Sequence, residues 1–467
     1  DGKLHGVAQR ELTQHYPRPG WVEHDPAEIW DKTLQCARDM VGKAGGADRI
    51  ACIGITNQRE TVVAWDRNSG EPLARAIVWQ DRRTADFCAG LKEQGHEPGV
   101  QETTGLLLDP YFSATKMRWL IENVPEVAAA STNGTLALGT IDSWLVCKLT
   151  GGLHITDASN ASRTLLLPLA GAGWDEDLCE LFGVPRTALA QVGDNAGEFG
   201  KTLPELFGAA IAITGIAGDQ QAATIGQACL APGETKITYG TGAFVLTCTG
   251  QQLPRSDNRL LGTVLYQLGG ARHYAIEGSV FVAGSLIKWL RDSLGIIDTA
   301  AETEDLARSI DGSHGVVIVP AHTGLGAPHW NPEARGTVTG LSIATGKAEI
   351  ARAALEAMAH QTHDLAQAYA ADGVAWTALR IDGGMSVNNW MVQDIADILG
   401  LPVERPDFVE TTALGAAMLA AVGAGIQPAL EDAARAMRGG TARFEPSMGA
   451  EERAARLARW RRAIGKI

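Results

Sequence analysis

Short apolar runs of strand length alternate along the chain with stretches whose apolar residues recur at helical spacing. Asp25-Pro26-Ala27-Glu28 reads as a capping box with proline at the first helical position, and Ile29, Trp30, Leu34, Met40 and Val41 then supply one apolar helix face. Residues 50–56 predict a buried strand. Strands follow at 61–65 and 76–79, the earlier one closed by the turn Asn68-Ser69-Gly70. Residues 235–239 and 243–247 flank Gly240-Thr241-Gly242, the pattern of a tight hairpin, and residues 378–381 lead through Asp382-Gly383-Gly384 into a helix running to Gly400. The longest apolar run, 413–426, is too short to span a bilayer; its alanines and glycines predict a closely packed core helix. This order of elements is that of an α/β protein with mixed sheets. A second strand series opens after a helix over 219–227, so the domain boundary is expected near Gly226, with domains over 1–226 and 227–467 and a ligand cleft between them.

Two polar segments break this pattern. Thr56-Asn57-Gln58-Arg59-Glu60 ends an apolar strand, where unpaired polar groups would each cost about 1–3 kcal/mol and no structural use for them is evident. Gly215-Ile216-Ala217-Gly218-Asp219-Gln220-Gln221-Ala222-Ala223 places Asp219 at the start of a helix among small residues. Open α/β sheets bind ligands at the carboxyl ends of strands, so both segments point to a small polyhydroxylated substrate, with Asp219 set to take a proton from a hydroxyl. Arg59 offers a fixed fork of donors, and Glu60 and Asp219 are acceptors; an ordinary Arg59–Glu60 ion pair is the plainer reading.

Composition narrows the picture. The 467 residues suit two or three domains, and a formal charge of −14 argues against nucleic acid or anionic lipid as a partner. Seven scattered cysteines without C-x-x-C spacing read as free thiols of a reducing compartment, and with no secretory pattern the expectation is a soluble cytoplasmic protein. No Walker-type loop and no G-x-G-x-x-G after a strand is present. Gly240-Thr241-Gly242 can instead aim backbone N–H groups and a hydroxyl at phosphate, and Asp382-Gly383-Gly384 with Asn388-Asn389 can admit a flat nucleoside, although turn glycine alone explains either. His360-x-x-His363 has no suitably spaced further ligand and reads as a solvated or half-buried helix face. Arg82-Arg83 fits a phosphate clamp or a salt bridge, and Arg453, Arg456, Arg459, Arg461 and Arg462 fit a wet helix face with Leu457 and Trp460 packed inward.

Several of these runs, together with others, resemble the glycerol kinases, carbohydrate kinases built on the actin-like ATPase fold. The resemblance spans most of the chain. It rests on Gly20-Trp21-Val22-Glu23-His24-Asp25-Pro26, Ile55-Thr56-Asn57-Gln58-Arg59-Glu60-Thr61, Ile77-Val78-Trp79-Gln80-Asp81-Arg82-Arg83 and Asp109-Pro110-Tyr111-Phe112-Ser113. It continues in Thr156-Asp157-Ala158-Ser159-Asn160-Ala161-Ser162-Arg163, Gly215 to Ala223, Tyr239-Gly240-Thr241-Gly242, Gly324-Leu325-Gly326-Ala327-Pro328 and Asp382-Gly383-Gly384. The resemblance implies two ribonuclease H-like domains with mixed sheets flanked by helices and an active site in the cleft between them. It implies phosphorylation of glycerol by ATP with Mg2+, the alternatives being a kinase for another polyol or sugar of the same family or a catalytically inactive nucleotide- or polyol-binding protein. Arg59, Glu60, Tyr111, Asp219 and Gln220 then meet the glycerol hydroxyls, and Trp79 and Phe244 line its carbons. Asp219 would also be the catalytic base and the carboxylate facing the metal. Thr241, Gly242, Gly284, Lys288, Gly384 and Asn388 fall at nucleotide positions, and a homo-oligomer, dimer or tetramer, is implied.

Three departures accompany it. The family opens with a strand and turn of the form Asp-x-Gly-Thr-Thr that grips phosphate and magnesium, and this sequence starts downstream of that element. Lys288 stands where glutamine is common, and His329 where tyrosine is usual. The basic glycine-rich loop that binds fructose 1,6-bisphosphate in some members is replaced by Leu203-Pro204-Glu205-Leu206-Phe207-Gly208.

Overall fold

Asp25 starts the helix Pro26–Ala44 as its sequence predicts: its carboxylate accepts from Ala27 N at 2.8 Å, and Gly45 ends the helix in the left-handed region. The capping box is incomplete. Glu28 does not reach back to the cap but accepts from the Thr13 hydroxyl at 3.0 Å, because the extended segment before it lies along this helix. Of the anticipated apolar face only Ile29 is fully buried. The computed structural model describes residues 2–331, 333–408 and 410–466.

In the first half, Glu23–His24, Ala76–Ile77, Val62–Asp66 and Leu136–Thr140 form an antiparallel sheet in that order. Beside it, Ile53–Asn57 pairs in parallel with Ile213–Gly218, Thr56 opposite Ala217 and Asn57 opposite Gly218. Parallel pairing brings the carboxyl ends of both strands to one place, and these ends carry the two polar segments. The second half is a seven-stranded mixed sheet. Its order is Leu261–Leu268, Ala271–Val280, Ala243–Gly250, Glu234–Tyr239, Ala378–Asp382, Val403–Pro406 and Thr441–Phe444. Ala378–Asp382 runs parallel to both its neighbours, and Gly240–Gly242 is the tight hairpin that the sequence predicts, with Tyr239 opposite Ala243.

The alanine- and glycine-rich run forms the helix Thr411–Gly423, which packs on the parallel pair and on the helix Asp219–Gly226 of the first half. Its buried Leu414, Met418 and Leu419 share one core with Ala222 and Ile225 from the first half and Leu246 and Leu265 from the second. The C-terminal helix Ala450–Ile464 departs from a wet arginine face. Leu457 and Trp460 are buried as expected, but so is Arg456, whose guanidinium donates to both Asp394 carboxylate oxygens at 2.5 and 2.9 Å. His360 is also buried rather than solvated, its ring stacked on Trp460 at 5.2 Å, and burial brings its pKa down to about 3. The Arg83 side chain is covered too, bonded to Asp81 and Glu23 and stacked 3.8 Å over Trp21, while Arg82 pairs with Asp109; these are salt bridges, the structural reading of that pair. Among the described residues no helix is long and apolar enough to cross a membrane.

Candidate active site

Arg59 and Glu60 follow the strand Ile53–Asn57 after one residue, Gln58. Glu60 adopts φ 60°, and Thr61 N donates to the Arg59 carbonyl at 2.7 Å, so the chain reverses sharply. A non-glycine residue held there costs about 1–3 kcal/mol, which its surroundings must over-determine. The turn sets both side chains together, Arg59 Nε lying 3.8 Å from Glu60 Oε1. Gly218 makes room for the arginine, since a Cβ there would sit 2.7 Å from Arg59 Cγ.

The main partners of Arg59 come from elsewhere. Its two terminal nitrogens donate to the two Glu277 oxygens at 2.6 and 3.2 Å, and one of them also to the Tyr111 hydroxyl at 3.3 Å. Arg163 donates through Nε to Glu60 at 2.7 Å and through a terminal nitrogen to Glu277 at 2.9 Å. The result is a buried alternating chain, Glu60–Arg163–Glu277–Arg59, with no member's side chain more than 2 % exposed. Burial pushes the Glu277 carboxyl up, but Arg163 and Arg59 more than offset it and leave it below the usual carboxylate range. Glu60, which shares those arginines with Glu277, is left above that range by burial. Arg59 Nε and Arg163 Nη1 are buried without a hydrogen-bond partner, Nε having only charge contacts with Asp219 and Glu60.

Asp219 opens the helix Asp219–Gly226 and is open to solvent where the arginine chain is not, its side chain 34 % exposed. Its Oδ1 accepts from Gln220 N at 2.7 Å and lies 3.3 Å from Arg59 Nε, a charge contact without hydrogen-bond alignment. Crowding by the protein raises its pKa above the ordinary aspartate value, and Arg59, the Gln220 amide and Lys236 only partly counter this. Gln220 Oε1 accepts from the buried Lys236 ammonium at 2.7 Å. Trp79 stands edge-on to Tyr111 at 5.6 Å and to Phe244 at 6.3 Å, so half-buried rings from both halves form a row.

A cavity of about 420 Å³ lies within the second half, walled by Tyr239, Gly240, Thr241, Gly284, Lys288 and Asn388 among others. It contains five of the six nucleotide positions given by the resemblance; Gly242 alone is not on its wall, and a Cβ there would lie 2.5 Å from the Val280 carbonyl oxygen. A Cβ on Gly384 would meet nothing within 4 Å, so this glycine leaves the cavity floor open for a flat group. The turn there is longer than anticipated. A short 3-10 segment, Gly384–Val387, precedes the helix Asn389–Leu399, and Asn388 caps that helix by accepting from Met391 N at 2.9 Å. Lys236 and Tyr239 lie three residues apart on one strand, so the Asp219 site and the cavity are separated by about 10 Å along it. The other departure, His329, lies off the cavity and meets Asp364 at 3.2 Å.

Sequence reasoning missed Glu277 and the role of Arg163. Glu277 stands 218 positions from Arg59, and a carboxylate directly after the apolar run Tyr274-Ala275-Ile276 of its strand was the available signal. Conversely, Asn57 has a structural use: it exchanges amide hydrogen bonds with Asn160 at 3.1 and 3.0 Å.

Comparison with known proteins gives the family and the fold. Residues 1–226 match the N-terminal domain of the FGGY family of carbohydrate kinases and residues 235–424 its C-terminal domain. Curated glycerol kinases from Methylobacterium nodulans and Alcanivorax borkumensis are each 54% identical, over 100% of this chain and 94% of their own lengths. The crystal structure of Plasmodium falciparum glycerol kinase with ADP superposes with a TM-score of 0.92 at 36% identity, covering 98% of this chain and 92% of that one. Gluconate kinase from Lactobacillus acidophilus shares the fold, with a TM-score of 0.87 at 22% identity over 100% of this chain and 93% of its own. The chain belongs to the FGGY family of carbohydrate kinases, in its glycerol kinase branch.

Proposed function

We propose that this protein transfers the terminal phosphoryl group of ATP to glycerol, forming sn-glycerol 3-phosphate and ADP. The observation that carries the reading is Asp219: a carboxylate about one-third exposed at a helix start, with the Nε of Arg59, which has no hydrogen-bond partner, beside it. Glycerol has a hydroxyl on every carbon, and this site offers a polar group to each side of it. The Arg59, Glu60 and Gln220 groups orient the hydroxyls, and the row Trp79, Tyr111 and Phe244 covers the carbons. Asp219 holds the reacting hydroxyl and accepts its proton, and a carboxylate with a raised pKa is a better acceptor than an ordinary one. Phosphoryl transfer leaves the protein mainly positioning and electrostatic work, which suits a rigid, buried charge chain.

The cavity fits the nucleotide: an open floor at Gly384, a hairpin hydroxyl at Thr241 and the cation Lys288 on its wall. ATP bound there supplies the phosphoryl group. Mg2+ in such kinases needs few protein ligands because phosphate oxygens and water complete its shell, and Asp219, a carboxylate partly open to solvent, would be the protein group to face it. The free cysteines, five of them buried, suit a cytoplasmic enzyme.

The test is ADP release by the full-length protein with ATP, Mg2+ and a panel of glycerol, xylulose and gluconate. Glycerol should be the preferred acceptor by kcat/KM. Preference for the ketose or the acid would overturn the reading.

A further inference from the structure

We propose that Glu277 is a positioning residue for the polyol site, holding both terminal nitrogens of Arg59 so that only its Nε, 3.3 Å from Asp219 Oδ1, is turned towards the base and the substrate. The inference rests on the proposed site; its content is that this site is completed by a strand of the other half. Glu277 lies on Ala271–Val280 of the second half, whereas Arg59, Glu60, Arg163 and Asp219 all lie in the first.

The donors decide the matter. Both terminal nitrogens of Arg59 go to Glu277, with Gln221 Oε1 at 3.3 Å and the Tyr111 hydroxyl at 3.3 Å as further acceptors. Only Nε is left, and it is buried without a hydrogen-bond partner. Because the guanidinium is planar and its fork is held at both tips, Nε has one direction in which to point. Glu277 also holds Arg163, whose other contact fixes Glu60. One carboxylate thus sets two arginines and, through them, both polyol-facing groups of the turn.

Its removal has a defined consequence. With Glu277 neutralised, Arg59 and Arg163 share the single buried carboxylate Glu60, and one positive charge is left over. The nearest alternative for Arg59 is Asp219, already 3.3 Å away. A terminal nitrogen swung onto that carboxylate removes the donor meant for substrate and occupies the base together. The nucleotide cavity has neither arginine on its wall, so its affinity should not follow.

The experiment uses Glu277→Gln in the full-length protein, with KM for polyol and for ATP measured separately and folding followed by circular dichroism and melting. Polyol KM should rise by at least about tenfold, with ATP KM within about twofold, as expected when a buried charge loses its partner. A purely structural residue would lower the melting temperature and the active fraction but leave polyol KM unchanged, and that result would overturn the proposal. Should this variant not fold, Glu277→Gln with Arg163→Gln restores charge balance while still leaving Arg59 unheld. A folded double variant with wild-type polyol KM would be equally fatal. The polyol is whichever member of the panel the wild-type protein turns over best, so a wrong substrate overturns the functional reading and leaves this one testable. A wild-type protein active on none of them would overturn both.

Discussion

At Asp219 two requirements meet: the carboxylate must be ionised to accept a proton, yet its surroundings raise the pH at which it ionises. Burial raises its pKa, and Arg59, the Gln220 amide and Lys236 pull it part of the way back. Activity should therefore be lost as pH falls through a value above the ordinary aspartate range of about 3.9, the acid limb of kcat/KM reporting that group. Asp219→Asn keeps the shape and removes the proton acceptor, so kcat should drop by roughly 10²–10⁴ with ATP affinity kept and the acid limb abolished. Steady-state kinetics across pH on both proteins checks this; near-normal turnover by the variant would remove Asp219 from the chemistry. The residue types of the site could be read in the sequence because a strand and a helix start do not need Arg, Glu and Asp. Their partners could not. Glu277 is 218 residues from Arg59, and no local period connects them.

At the scale of elements, the helix Thr411–Gly423 shows both what patterning reveals and where it stops. Its alanine and glycine content predicted close packing, and the packing is close: a Cβ on Gly415 would lie 1.8 Å from the Ala222 carbonyl oxygen. What the pattern does not carry is the partner, since small residues fit any smooth surface, and the surface here is the Asp219 helix of the opposite half. The arginines of the C-terminal helix fail for a related reason. Helical spacing assigns polar residues to water, but Arg456 meets a buried Asp394 on a neighbouring helix. Gly415→Ala separates local from tertiary effects. Alanine gains about 1 kcal/mol of helix propensity over glycine, while forcing backbones apart costs about 1–3 kcal/mol or more. The variant should be destabilised in urea, and kcat should fall because the helix that moves carries Asp219. A more stable, fully active variant would mean that the contact yields easily.

Over the whole molecule, the two family domains share structure that neither completes alone. The Thr411–Gly423 helix lies in sequence between two strands of the second half's sheet, Val403–Pro406 and Thr441–Phe444, but covers the first half's parallel strands, and Glu277 neutralises arginines from the first. Chains of this length usually unfold domain by domain. Here, melting of the first half alone would strip Leu414, Met418 and Leu419 of Ala222 and Ile225 and leave Glu277 without Arg59 and Arg163. Loss of one partner from a buried pair costs about 3–5 kcal/mol, so the intermediate with one half folded is penalised from both sides. Calorimetry should then show one transition whose van't Hoff and calorimetric enthalpies agree. A polyol ligand at about 100 times its Kd should add about 2.7 kcal/mol to the stability of that single unit and raise its melting temperature without splitting it. Two resolved transitions, with only one responding to the polyol, would show that the halves fold independently and that the shared helix and charge chain contribute little to joining them.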